Sequence, residues 1–260
     1  MNYAIVLCIS FTSLTYGFTL DRVILSSNNN PLYLEFWPYA AKAWTQLIGI
    51  RPTLALIADS SVQVDETLGD VIRFEPIPGV PTGLHAQLIR LLLPAYFPSD
   101  GCILSDIDQL PINKSYFIDQ VRDIANNKFI IYNNLAYGPD IKRFAMCYVA
   151  ARGSVFKEVF NIPDISSIPQ IIKSWVEKKL GFDTDELLLY NYVTNWQDYS
   201  TRCIKLNDNL GPLSNRRIQR YLWYYNEQLL KNQLIDACLI RPYREYKQDL
   251  DKLAYLAGVR

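Results

Sequence analysis

The sequence has a single histidine, His85, in 260 residues, and that scarcity removes several classes of chemistry at once. A zinc site with two histidines one helical turn apart needs a second imidazole, and any Ser-His-Asp triad would have to use this one. Cysteine is sparse as well. The five, Cys8, Cys102, Cys147, Cys203 and Cys238, include no CxxC pair, so neither a disulfide framework nor a structural zinc site is expected. The 11 glycines form neither a GxxxxGKS/GxxxxGKT loop nor a GxGxxG loop, which argues against a P-loop NTPase and a dinucleotide-binding oxidoreductase. Net charge is missing too: 26 Lys and Arg stand against 26 Asp and Glu. A balanced chain exerts no global pull on nucleic acid or an anionic membrane, and no nucleic-acid partner is expected.

What is present is the material of a folded domain, with 50% hydrophobic and 20% charged residues. Residues Ala4 to Phe18 are mostly apolar and the first charge is Asp21. This stretch lacks a basic leader, and its core from Tyr3 to Phe11 is shorter than the ~20 residues that cross a bilayer. Segment 1–17 therefore reads either as a signal or anchor or as a buried strand. The first puts the chain in the secretory pathway, with membrane association only through that segment, and the second leaves it in the cytoplasm.

From Phe18 onward, apolar runs of strand length alternate with amphipathic segments. Strands are expected at Arg22 to Ser26, Thr53 to Ala58, Asp70 to Phe74, Gly101 to Ser105, Lys128 to Tyr132 and Phe144 to Ala150, and helices at Leu32 to Ile48, Gly83 to Tyr96 and Ser115 to Ile124. That alternation predicts an α/β fold with a mostly parallel sheet flanked by helices, over residues 18–213. Residues 214–260, rich in Tyr and Arg, are expected to form a helical extension packed on it.

Ligands of such sheets gather at the carboxyl ends of the strands. The residues there are polar: Ser26 and Ser27 after the first strand, Asp59 after the second, Asp106 and Asp108 after the fourth. Three Asp-x-Asp triplets occur, at Asp106/Asp108, Asp183/Asp185 and Asp249/Asp251, and only the first follows a buried-looking strand. Two carboxylates on one side of a strand end are hard oxygen ligands suited to Mg²⁺ or Mn²⁺, and Mg²⁺ is commonly shared with substrate phosphates. A metal-bridged diphosphate ligand is the expectation.

The stretches Val23 to Trp44, Thr53 to Asp59, His85 to Pro98, CILSDIDQLPI (Cys102 to Ile112) and FDTDELLLYNYV (Phe182 to Val193) resemble, in order, the metal-dependent GT-A glycosyltransferases of the nucleotide-diphospho-sugar transferase superfamily. The resemblance covers roughly Arg22 to Val193. It implies a GT-A (Rossmann-like) fold, Mn²⁺ or Mg²⁺ at Asp106 and Asp108, a nucleotide-diphosphate sugar donor and a hydroxyl acceptor on a glycan. It further implies that Ser26, Ser27 and Asp59 contact base and ribose. Arg90 either neutralises phosphate charge or pairs with a site carboxylate, the alternative being a solvated helix position. Asp185 and Glu186 match the acidic segment that supplies a catalytic base, with Asp185 placed ahead of Glu186.

The family's late metal-binding histidine has no counterpart after His85. Its place falls to Cys238, to Asp236 or to water, and cysteine is a soft ligand poorly matched to Mg²⁺. His85 itself reads as a cap or wall residue. The basic residues after Ser214 read first as packing with snorkelling stems and second as contacts to sugar or diphosphate. Sugar-1-phosphate nucleotidylyltransferases share the sheet but usually carry a glycine-rich basic signature after the first strand, which Ser26 to Pro31 lacks. The competing reading of function is a non-catalytic glycan- or nucleotide-sugar-binding protein of the same fold.

Overall fold

In the run RVILSSN (Arg22–Asn28) consecutive side chains must point to opposite faces of a sheet, and both faces are apolar. A strand of this kind is stable only when helices cover both sides. The computed structural model, which describes residues 17–206, 216–223, 227–228, 230 and 234–260, places it at the centre of such a sheet. Among these residues the strands are β1 (Arg22–Asn28), β2 (Arg51–Ile57), β3 (Asp70–Phe74), β4 (Gly101–Leu104), β5 (Gln109–Pro111), β6 (Phe129–Ile131), β7 (Val149–Arg152), β8 (Cys203–Lys205), β9 (Arg217–Ile218) and β10 (Asp236–Cys238). The helices are α1 (Pro31–Leu34), α2 (Trp37–Ala43), α3 (Thr82–Leu92), α4 (Lys114–Ile118), α5 (Gly153–Val159), α6 (Ile168–Val176), α7 (Thr184–Thr194), α8 (Tyr199–Arg202) and α9 (Lys247–Ala257).

Seven strands form one sheet in the order β3-β2-β1-β4-β7-β6-β8. Every neighbouring pair is parallel except the two made by β7, which runs against both β4 and β6. The expected mostly parallel α/β sheet is therefore present. Val23 and Leu25 pack into one core with Trp37, Trp44 and Tyr148, while Ile24 packs into the other with Leu88, Leu104 and Trp175. Because β2 and β4 leave β1 in opposite directions, the order switches at β1/β4, and a crevice opens beyond their carboxyl ends. At the opposite end, Gly101 opens β4 so close to the chain before β1 that a Cβ would lie 1.8 Å from the Thr19 carbonyl oxygen.

Several boundaries differ from the sequence reading, each for a local reason. The helix expected over Leu32 to Ile48 is divided into α1, α2 and a wider π-turn at Trp44–Ile48, with Pro31 and Pro38 each in a first turn. The helix expected to reach Tyr96 leaves α geometry at Leu93–Tyr96, where Pro94 has no N–H for the ladder. That over Ser115 to Ile124 shortens to α4. The strand expected at Phe144 to Ala150 begins only at Val149.

The larger correction concerns the segment after Ser214. It is not simply helical: β10 pairs antiparallel with β5 and parallel with β9, forming a second, three-stranded sheet, and only α9 and one 3-10 turn at Arg220–Leu222 are helical among the described residues. Ile235, Ala237 and Leu239 pack into the core of the main sheet, and Asp236 between them is buried against Arg217 and the Tyr148 hydroxyl. No helix among the described residues is long and apolar enough to cross a membrane. The readings of segment 1–17 fall, Gly17 apart, outside the described residues.

Candidate functional site

A cleft of about 520 Å³ occupies the crevice beyond β1 and β4. It is lined by residues from distant parts of the chain, among them Ser26 and Ser27, Asp106 and Asp108, Asp185 and Glu186, and Arg220, Cys238 and Arg241. Ser26 and Ser27 end β1. The Ser26 hydroxyl donates to the Ala86 carbonyl at 2.6 Å, fastening the strand to α3, and the Ser27 hydroxyl donates to the Asn28 carbonyl at 2.8 Å. Asp59 does not line the cleft: its exposed carboxylate accepts from the Ser61 N–H at 2.8 Å and from the Ser61 hydroxyl, closing its own turn. Those bonds hold its pKa below the ordinary carboxylate value.

Arg90 is the hub of the acidic cluster. It lies in the last turn of α3 at 6% exposure, and its guanidinium pairs with Asp106 and, at 3.0 Å, with Asp185. The geometry shows the expected pairing with site carboxylates and not a solvated position. Burial disfavours its charge, but the two carboxylates outweigh that and raise its pKa. Burial likewise raises Asp106, yet Arg90 prevails and leaves that carboxyl below its usual range. The Asp106 N–H donates to the Cys147 sulfur at 3.0 Å. Leaving either Asp106 or Asp185 without Arg90 would strand a charge in a low-dielectric site.

Asp108, 5% exposed, is claimed from the other side. Arg220 donates to it at 2.5 Å, and the Arg241 Nε lies 3.7 Å away. Arg220 also donates to the Leu239 carbonyl at 2.9 Å, and the Leu239 N–H donates to the Asp108 carbonyl at 2.8 Å. The strand pairing of β10 with β5 thus delivers both arginines to the acidic motif across more than a hundred residues of chain. Burial raises the Asp108 carboxyl and the neighbouring Asp106 charge adds to it, with Arg220 and Arg241 pulling down.

Asp185 and Glu186 occupy the first turn of α7, where the helix dipole favours carboxylates. They differ in availability. Asp185 is buried, bound by Arg90 and accepting from the Glu186 N–H at 3.0 Å. Glu186 accepts from the Tyr137 hydroxyl at 2.6 Å and lies 3.2 Å from the Arg143 Nε. Burial pushes the Glu186 carboxyl up from 4.5 to about 7, helped by the Asp185 charge, against the Tyr137 hydrogen bond and Arg143. Arg143 also pairs with Asp183 and stacks 4.0 Å over the Tyr137 ring.

The donor set does not fit a divalent metal. Among the described residues no three His, Cys, Asp or Glu side chains group so as to hold one. Both carboxylates of the motif are instead engaged by guanidinium groups, Asp106 by Arg90 and Asp108 by Arg220 with the Arg241 Nε 3.7 Å away, while the further cleft acids Asp183 and Glu186 pair with Arg143. Cys238 lines the cleft, where burial pushes its thiol up to about 12, and its soft sulfur is poorly matched to Mg²⁺. Asp236 is bound by Arg217 and, at 2.8 Å, by the Tyr148 hydroxyl. His85 is a wall residue at 2% exposure, edge-on to Phe74, with its pKa lowered to about 4 by burial.

The sequence reading did not single out Tyr33, Tyr137, Arg143, Arg220 or Arg241. The only signal for the last two was the basic, tyrosine-rich composition after Ser214.

No protein-family model matches the chain, and no curated protein matches it in sequence. Solved structures do match in shape. The galactosyltransferase LgtC, crystallised with donor and acceptor sugar analogues, superposes with a TM-score of 0.50 at 12% identity over 91% of this chain and 95% of that one. An active-site mutant of LgtC gives 0.53 at 12% over the same shares. The glycosyltransferase GlyE of Streptococcus pneumoniae TIGR4 gives 0.54 at 12%, over 93% of this chain and 61% of GlyE, so the chain spans less than two thirds of that protein. With its mostly parallel seven-stranded sheet, helices on both faces and strand-end cleft, the chain has the GT-A glycosyltransferase fold.

Proposed function

We propose that the cleft binds a nucleotide-diphosphate sugar and transfers its sugar to a hydroxyl of an acceptor, a glycan by analogy with the acceptor sugar analogue named for LgtC. The observation that carries this reading is convergence: the ends of β1 and β4 and the first turn of α7 meet in one cleft at the sheet's switch point. In this reading Ser26 and Ser27, which line the cleft, contact base and ribose. Asp59, expected to share that role, lies outside the lining of the cleft and closes its own turn with Ser61. Glu186, more than Asp185, suits the base: a carboxyl with a pKa near 7 is partly ionised at neutral pH and takes the acceptor proton as the sugar's bond to diphosphate breaks. Asp185 is committed to Arg90 and positions it. The metal expected at Asp106, Asp108 and Cys238 is not given a step, because the donor set does not fit it.

A thermal-shift screen with UDP-, GDP-, CMP- and dTDP-sugars, each in Mn²⁺, in Mg²⁺ and in EDTA, tests this. Ligand at 100 times its dissociation constant adds about 2.7 kcal/mol of stability. One nucleotide class should raise the melting temperature, and silence across all of them refutes the reading. A protein that binds without turnover is the second reading, favoured by the engagement of both motif carboxylates by arginines. Binding without release of nucleotide would support it.

A further inference from the structure

The misfit between this cleft and a divalent ion has a chemical counterpart on the opposite wall. We propose that Arg241, with Arg220 beside it, forms a diphosphate-binding site that works without a metal. This rests on the sugar-nucleotide reading of the cleft. Both arginines line it. Arg220 is fixed by Asp108 at 2.5 Å and by the Leu239 carbonyl at 2.9 Å. Arg241 is held differently. Its guanidinium stacks 4.6 Å from the centre of the Tyr33 ring, its Nε stays 3.7 Å from Asp108, and it makes no hydrogen bond among the described residues. A guanidinium pinned by its face to an aromatic ring and steered by a carboxylate has its N–H edge free for an incoming anion.

The planar guanidinium fork matches phosphate oxygens two at a time and keeps its charge at any physiological pH. A dication at Asp108 would have to displace Arg220 from the carboxylate and sit against two guanidinium groups. Arginine therefore does here what a bound cation would otherwise do for the leaving diphosphate. Asp108 becomes a positioning residue, orienting Arg220 and Arg241 instead of ligating.

The two arrangements predict opposite results for one substitution. If Asp108 holds a metal, Asp108→Asn abolishes diphosphate binding. If it orients arginines, the same change removes a negative charge from an anion site, and affinity in EDTA is retained or rises. The experiment is calorimetric titration of UDP, GDP and inorganic pyrophosphate into the full chain, in EDTA and in Mn²⁺. It compares wild type with Asp108→Asn, Arg241→Gln and, as a control, Arg244→Gln, whose side chain is 81% exposed and paired with Glu35. A melting curve accompanies each variant.

The wild type should bind a nucleoside diphosphate equally, within about twofold, in EDTA and in Mn²⁺. Arg241→Gln should weaken it at least tenfold and Arg244→Gln leave it unchanged. The Mn²⁺ electron paramagnetic resonance signal should stay that of the free ion. Binding only in Mn²⁺, or full affinity in Arg241→Gln, overturns the inference while leaving the sugar-nucleotide reading intact. Binding of no diphosphate in either medium overturns both. Should Asp108→Asn fail to fold, the wild-type comparison of EDTA with Mn²⁺ and the Arg241→Gln result still decide.

Discussion

If Glu186 is kept as a poised base, the protein bears a cost for it, and Glu186→Gln should be a more stable protein with no turnover. The carboxyl is raised from 4.5 to about 7, chiefly by burial. A raised acid binds its proton more tightly in the folded state, so its contribution to stability is complete below pH 4.5 and lost as pH rises through 7. At about 1.4 kcal/mol per pH unit, that interval makes the charged side chain cost roughly 3 kcal/mol above neutrality. Glutamine keeps a carbonyl to accept from Tyr137 and carries no charge to desolvate. For a chain of this size about 3 kcal/mol corresponds to ~6 °C or more in melting temperature. The assay is a pair of thermal denaturation series, wild type against Glu186→Gln, at pH 8 and pH 5. The variant should melt several degrees higher at pH 8, with most of the advantage gone at pH 5. Equal gains at both pH values, or no gain at pH 8, would refute the assignment of a buried, neutral-leaning carboxyl.

Other consequences are equally direct. Arg90→Met leaves Asp106 and Asp185 without their shared partner and should cost about 3 to 5 kcal/mol, read from the denaturant midpoint. Buried His85, lowered from 6.5 to about 4, binds its proton less readily when folded, so stability is lost as pH falls through that window. Relative to wild type, His85→Leu should gain up to about 3 kcal/mol between pH 7 and pH 4 in denaturant titrations. Gly101→Ala drives a methyl into the Thr19 carbonyl and should destabilise by about 1 to 3 kcal/mol, whereas Gly83→Ala, with its nearest neighbour 3.9 Å away in the first turn of α3, should stabilise slightly in the same assay.

The central strands were legible because a strand covered on both faces reads as an unbroken apolar run, as in Val23 to Leu25 and Cys102 to Leu104. The acidic motif was legible because polar residues directly after such runs have nowhere to be but the crevice. Asp59 obeyed the same logic and yet turned away, since Ser61 two residues on offers its carboxylate a local partner. The C-terminal segment was misread because its Tyr- and Arg-rich stretches mask the short alternation of Ile235, Ala237 and Leu239. Arg220 and Arg241 were legible only as members of a basic stretch whose second reading was contact with sugar or diphosphate. Their meeting with Asp108 exists only once β10 has paired with β5.

The measurement closest to the central claim is consumption of sugar nucleotide by the purified chain. Each nucleotide class would be incubated with and without glycan acceptors, in EDTA and in Mn²⁺, and release of nucleoside diphosphate followed chromatographically alongside the mass of the acceptor. The account predicts that one class is consumed by the wild type, that the acceptor gains one sugar mass per nucleotide released, and that Glu186→Gln does neither while still binding the donor. A protein that releases nothing from any sugar nucleotide in either medium, or a Glu186→Gln variant as active as the wild type, would contradict it.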